Sequence, residues 1–178
     1  MKTHRGFTLM ELMVVTAIIG VLAVVVIPAV MRYIRRSRTI EATLNLRKLY
    51  DATVSYYLTE HTDSDGRIVA RQFPSAQGFT PLLGACCAQV GQKCAPQGDP
   101  SFSLPTWQAL NFSIDDPFYY SYQTSGAGGS APGDRYDLDA SGDLNCDGVY
   151  SLFRRGVTVD AGFALAGGSG FYVLNELE

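Results

Sequence analysis

Lysine is nearly missing from this sequence. Three occur in 178 residues, at positions 2, 48 and 93. The net charge is −3, so the chain lacks the basic surplus of a general nucleic-acid binder, and no nucleic-acid partner is expected. Histidine is limited to His4 and His61, and cysteine to four unevenly spaced residues. A zinc site draws on more such ligands, usually with a C-x₂₋₄-C pair, and that spacing is absent. There is no nucleophile elbow, no phosphate loop and no His pair. Beyond His4 near the start, His61 is the one candidate base for any cysteine nucleophile. The chain therefore reads as a non-enzyme. Charged residues make up 17%, against roughly 25% in an ordinary soluble domain.

The apolar residues are concentrated in one place. Residues 12–31 read LMVVTAIIGVLAVVVIPAVM, 20 positions without a charge. As a helix this run spans about 30 Å, the thickness of a bilayer core. It exceeds the roughly 7–15 residues of a signal-peptide apolar region, and no A-x-A site follows it. Arg32, Arg35, Arg36 and Arg38 follow instead. Before the run stand MKTHRG and then Phe7-Thr8-Leu9-Met10-Glu11-Leu12. Glu11 is the anomaly. A carboxylate in a membrane helix costs roughly 2.5–3.5 kcal/mol at mid-bilayer and less near an end, and such residues are functional candidates. The bland alternative is a capping box, since Thr8-x-x-Glu11 fits that pattern.

G-F-T-L-x-E-L followed by about 20 apolar residues resembles the class III signal of type IV prepilins and type II secretion pseudopilins. The match covers roughly residues 1–33 and says little about residues 61–178. The resemblance implies a type IV pilin fold and cleavage by a prepilin peptidase after Gly6. Phe7 becomes the N-methylated first residue. Glu11 is then the glutamate that pairs with the N-terminal amine of a neighbouring subunit during assembly. Pro28 matches the position where the family's helix loosens in the filament. Physically, Gly20 and Pro28 both weaken the helix, because Pro28 removes one hydrogen bond and clashes with the carbonyl of Val24. A simple kink is the plain reading of Pro28. An amine and a carboxylate attract strongly where the dielectric is low, which suits the assembly role.

Orientation is contested within the sequence. The arginines at 32–38 outnumber Lys2 and Arg5, and the positive-inside rule would put them in the cytoplasm. The leader and the cysteines argue the other way. The expected location is the inner membrane with the N-terminus in the cytoplasm, and then the pilus or cell surface. The arginines then form a solvated collar, or pair with acidic groups of neighbouring subunits or with lipid phosphates.

Leu46, Leu49, Tyr50, Thr53, Val54 and Tyr57 recur at helical spacing, with Glu41, Asn45, Lys48, Asp51 and Ser55 opposite. No Pro or Gly falls between 29 and 65. One helix is expected from Thr8 to Thr59, near 80 Å at 1.5 Å per residue, apolar at first and amphipathic later. The expected organisation is a cleaved leader at 1–6, a membrane or filament-core half of the helix at 7–31 and an amphipathic half at 32–60. A globular head follows at 61–178. His61 is read as an exposed partner of the helix dipole.

Cys86, Cys87, Cys94 and Cys146 suit disulfides in an extracytoplasmic head. A bridge between the adjacent pair is sterically poor, which leaves two connectivities. Cys87–Cys94 with Cys86–Cys146 is the one expected here. Runs at 118–122, 135–139, 149–153 and 170–174 are strand-like and divided by turn residues, which predicts a small antiparallel sheet. Packed on the amphipathic half-helix it makes an α+β head. Trp107, Leu110 and Phe112 are placed at a sheet edge, with an aromatic binding patch as the alternative. Asp143-x-Asn145-x-Asp147-Gly148 fits the first half of a calcium loop, with Asp137 and Asp139 as further oxygens. Position twelve would be Arg154, so this is no EF-hand. A strand with outward Asp residues ending in an Asp/Gly turn is the alternative. No cofactor beyond that possible calcium is implied.

The reading is a minor type IV pilin that joins or primes a filament through its N-terminal helix. Its partners are the peptidase, other pilin subunits and the inner membrane. The head, with 6 basic and 13 acidic residues, carries a net charge of −7 and suits a specialised subunit. A major pilin and a secretion pseudopilin share the N-terminal features. A membrane-anchored binding module or enzyme is the rival that would need neither Glu11 nor cleavage.

Overall fold

A 50-residue helix, α1 (Leu9–Leu58), begins where the sequence supplies its cap. Thr8 N and Thr8 Oγ1 both donate to Glu11 Oε2 at 2.8 Å, and Glu11 N donates to Thr8 Oγ1 at 3.3 Å. The expected helix, Thr8 to Thr59, agrees to within one residue at each end. Pro28 lies inside α1, and the helix runs through it. The structure is a computed structural model that describes residues 6–62, 65–96, 100–126, 129–168 and 170–178. Two units result, Met1–Ser37 and Arg38–Glu178. In the first, nearly every described side chain is exposed.

In the second unit α1 buries Thr39, Ala42, Asn45, Leu46, Leu49, Thr53 and Tyr57. Leu46 and Leu49 have no exposed surface, and burying such a side chain stabilises by about 1.5–3 kcal/mol. They join one core with Tyr122, Tyr136, Leu138, Phe153 and Val157. The sequence placed Asn45 and Glu41 on the polar face. The structure corrects that. Asn45 Nδ2 donates to Tyr122 Oη at 2.8 Å, and Glu41 also turns to the sheet.

The largest share of that core is supplied by an antiparallel sheet. Its strands are β3 (Gln77–Thr80), β4 (Tyr120–Ser125), β5 (Arg135–Gly142), β6 (Leu152–Val159), β7 (Leu165–Gly167) and β8 (Tyr172–Leu174). The order is β3-β4-β5-β6-β7, and β8 pairs with β6 beside β7. A separate two-residue pair joins β1 (His61–Thr62) to β2 (Ile68–Val69). Each of the four anticipated runs overlaps a strand. The strands β3 and β7 were not anticipated, because QGFT and LAG are short and carry no alternating apolar pattern.

A one-turn helix α2 (Pro105–Ala109) puts Trp107 beside the edge strand β3. Its indole Nε1 donates to Thr80 Oγ1 at 3.1 Å, and the side chain is fully buried. A ring so enclosed offers no binding face, so the aromatic-patch alternative falls. His61 is stacked on Tyr56 at 4.0 Å between ring centroids, and its Nε2 lies 2.8 Å from the Tyr56 carbonyl.

The disulfides are Cys86–Cys94 and Cys87–Cys146, the exchange of the expected pairing. The reason lies in the turn that carries them. Residues 85–88 form a 3₁₀ helix, in which neighbouring side chains diverge by about 120°. Cys86 points into a small apolar cluster with Phe118 and Cys94, and Cys94 forms a β-bridge with Phe118. Cys87 points away, its Sγ 3.3 Å from the Asp143 carbonyl on the loop that carries Cys146.

Candidate assembly site

The N-terminal unit presents apolar side chains with nothing described against them. Phe7 is 88% exposed, and the side chains of Leu9, Met10, Val21, Val24 and Val25 are exposed too. Such a surface is stable only when lipid or other apolar helices cover it. α1 is one helix long and apolar enough to cross a membrane, by length and composition.

At its start sits a carboxylate. Glu11 belongs to the capping arrangement, so the cap is real. Oε2 takes both Thr8 contacts, and the described bonds leave Oε1 for another donor. A cap and an assembly contact are therefore compatible in one side chain. Gly6 precedes the helix, and a Cβ there would meet no atom within 4 Å, as at Gly20. Lys2 and Arg5, expected to belong to a leader, lie outside the described residues.

Of the five oxygen ligands expected for calcium, Asp137 and Asp139 are engaged elsewhere, and Asp143, Asn145 and Asp147 hydrogen-bond within their own turn. Asp139 is fully buried and takes Arg154 Nε at 2.6 Å and Nη2 at 2.8 Å, plus Gln123 Nε2 at 2.7 Å. Asp137 takes Arg135 Nε at 2.8 Å. Downstream, Asp143 Oδ1 and Oδ2 accept the amides of Asp147 and Gly148, at 3.2 and 2.9 Å. Asp147 accepts the Val149 amide, and Asn145 Nδ2 donates to Asp147 and to Glu178. Gly148 closes this turn at φ 88°, a conformation open to glycine. Asp137 and Asp139 are thus neutralised by guanidinium groups and do not complete a shell. Cys87, Asp143 and Cys146 also converge, but the two sulfurs are bonded to each other and offer no thiolate.

The sequence missed Glu41. Its carboxylate accepts the amides of Tyr119 at 3.1 Å and Tyr120 at 3.3 Å, and the Tyr122 hydroxyl at 3.1 Å. Glu41 thereby pins α1 to the start of β4. Burial raises its pKa to about 7 despite those three donors, which act the other way. The same burial and the nearby Glu41 charge push the Tyr122 hydroxyl well above its ordinary value. Nothing local in the sequence marks this role, since the donors lie some 80 residues away.

Comparison with known proteins follows this division of the chain. Residues 1–27 match the family model described as the prokaryotic N-terminal methylation motif. The "Type IV major pilin protein PilA" of Myxococcus xanthus is 42% identical over 81 residues, 46% of this chain and 34% of that protein. The "Type IV major pilin protein PilE1" of Neisseria gonorrhoeae is 46% identical over 55 residues, 31% of this chain and 33% of that protein. The "Fimbrial protein EcpC" of Eikenella corrodens is 44% identical over 59 residues, 33% of this chain and 38% of that protein. The chain thus spans about a third of the length of the curated relatives it matches. No solved structure matches it significantly. The chain thus carries the methylation motif over residues 1–27, is similar over its matched residues to type IV pilins, and combines a long N-terminal helix with an antiparallel sheet in an α+β, pilin-like fold.

Proposed function

We propose that the chain is a minor type IV pilin, a structural subunit that joins or primes a filament. The observation that carries this reading is the exposed apolar start of α1 with Glu11 at its head, inside the matched methylation motif. In this reading the prepilin peptidase cuts after Gly6 and methylates Phe7. The subunit waits in the inner membrane with its N-terminus in the cytoplasm. Glu11 then takes the Phe7 amine of a neighbour, an attraction strengthened by the apolar surroundings. Gly20 and Pro28 give α1 its weak points. Two of these relatives are named major pilins, and a major-pilin role shares every feature of α1. The minor role is favoured by a head with two disulfides and a net charge of −7, which lies beyond the matched methylation motif of residues 1–27.

Mass spectrometry of the membrane-extracted protein tests the processing. A chain beginning at methylated Phe7 supports it, and one beginning at Met1 beside an active peptidase overturns it. Abundance in sheared filaments separates the roles, since a minor subunit is present in trace amounts there and a major one dominates. Calcium is proposed only for the loop of Asp143, Asn145 and Asp147, whose oxygens sit at alternate positions beside Glu178. Titration calorimetry with calcium chloride decides it: heat that vanishes in Asp147→Asn supports the site, and absence of heat removes it.

A further inference from the structure

The face of the sheet turned from α1 carries an ordered polar row. Register places Gln123 opposite Asp139, Asp139 opposite Arg154, and Arg154 opposite Tyr172, across β4, β5, β6 and β8. Side chains alternate along a strand, and Tyr136, Leu138 and Arg155 point the other way, into the core or onto Tyr50 of α1. Beside this row opens a groove of about 230 Å³ lined by Arg135, Arg154, Gly156, Thr158, Gly168 and Tyr172, among others. Its size is below the roughly 300–1,000 Å³ of pockets for drug-sized ligands, so it suits one small ring.

The chemistry of the groove is one-sided. Asp139 is buried and its oxygens already hold Arg154 and Gln123, while Asp137 holds Arg135. These carboxylates fix the guanidinium planes. The bonds described use Nε and Nη2 of Arg154 and only Nε of Arg135, so further guanidinium N–H groups remain for a ligand. The groove is rich in donors and poor in spare acceptors. Gly156 keeps its floor low: a Cβ there would lie 2.8 Å from Asp137 Oδ1 and 3.1 Å from Arg135 Nη2. Tyr172, 60% exposed, adds an aromatic plane at one wall. A bare oxyanion would use the arginines and waste the ring. A neutral sugar would use the ring but bring no charge to the guanidinium groups, and so none of the bidentate, charge-assisted pairing that a carboxylate makes with them.

We propose that this groove binds a sugar acid, a pyranose bearing a carboxylate, with the guanidinium edges taking the carboxylate and Tyr172 taking the ring face. The test uses the full-length chain in a detergent without sugar headgroups, with D-glucuronate as probe and saturation-transfer NMR as readout. Glucuronate binds with a Kd of about 1 mM, and acetate and glucose each bind about tenfold more weakly. Tyr172→Ala and Arg135→Gln, both at exposed side chains, each weaken glucuronate about tenfold while the emission of buried Trp107 stays unchanged. The proposal is overturned by any of three results: no saturable glucuronate binding by about 20 mM, acetate or glucose binding as well as glucuronate, or unaltered affinity in the two variants.

Discussion

Glu41 and Glu11 are two carboxylates on one helix with opposite surroundings. Glu41 is enclosed, and its pKa rises from 4.5 to about 7. The charged groups beside it are Arg47, Lys48, Asp51, Asp115 and Asp116 around the adjoining groove, and Arg38 and Lys93 over the Tyr119 ring. A raised folded pKa means that the folded state holds the proton more tightly than the unfolded chain. The contribution is therefore complete below pH 4.5, falls as pH rises toward 7, and is constant above that. The head is expected to gain stability on acidification from pH 8 to pH 4.5, by at most about 3 kcal/mol, and Glu41→Gln is expected to flatten that dependence. Urea unfolding followed by Trp107 emission measures it, and an unchanged slope in Glu41→Gln would assign the effect elsewhere. At Glu11 the two roles come apart chemically. Glu11→Gln keeps the capping box, which accepts Gln, but removes the charge. Filament yield is expected to drop at least about tenfold in Glu11→Gln, the worth of one charge-assisted contact. A normal yield would leave Glu11 as a cap alone.

Among the elements, the disulfides are the most readily tested. Cys87–Cys146 closes a separation of 59 residues and Cys86–Cys94 one of 8. In the chain-entropy account, losing the long bridge costs about 4 kcal/mol and losing the short one about 2.5. Paired Cys→Ser variants, followed by urea unfolding, should show that order. Equal losses would place the short bridge's value in the native packing around Phe118. The helix is legible in the sequence because it depends on nearest neighbours: a Thr8–Glu11 cap, no Pro or Gly from 30 to 65, and a stripe at 46, 49, 53 and 57. The strands are legible where aromatic residues cluster, as in 118–122, and invisible where a three-residue run carries no pattern, as in LAG at β7. Cysteine pairing is not legible, because it depends on which way two adjacent side chains leave a 3₁₀ turn. The assignment of Asp139 to calcium failed for a related reason. Its partner Arg154 is adjacent only once β5 and β6 are in register.

At the scale of the whole molecule, the sequence separates a shared part from a private one. Residues 1–27 carry the methylation motif, and the head carries two disulfides, loops and a polar sheet face. Exchange of residues 1–37 with the same segment of a major pilin is therefore expected to leave export and processing intact, read as the mass of the mature N-terminus. Loss of processing would show that the head takes part in peptidase recognition. The cross-link between Cys87 and Cys146 also has a mechanical side. When the two ends of the chain are drawn apart, the 59-residue stretch between these cysteines cannot extend, and at about 3.4 Å per residue some 200 Å of slack is withheld. The bridge encloses all of β4 and β5, so a chain pulled from its ends keeps its central strands behind a covalent short circuit while its unbridged ends give way first.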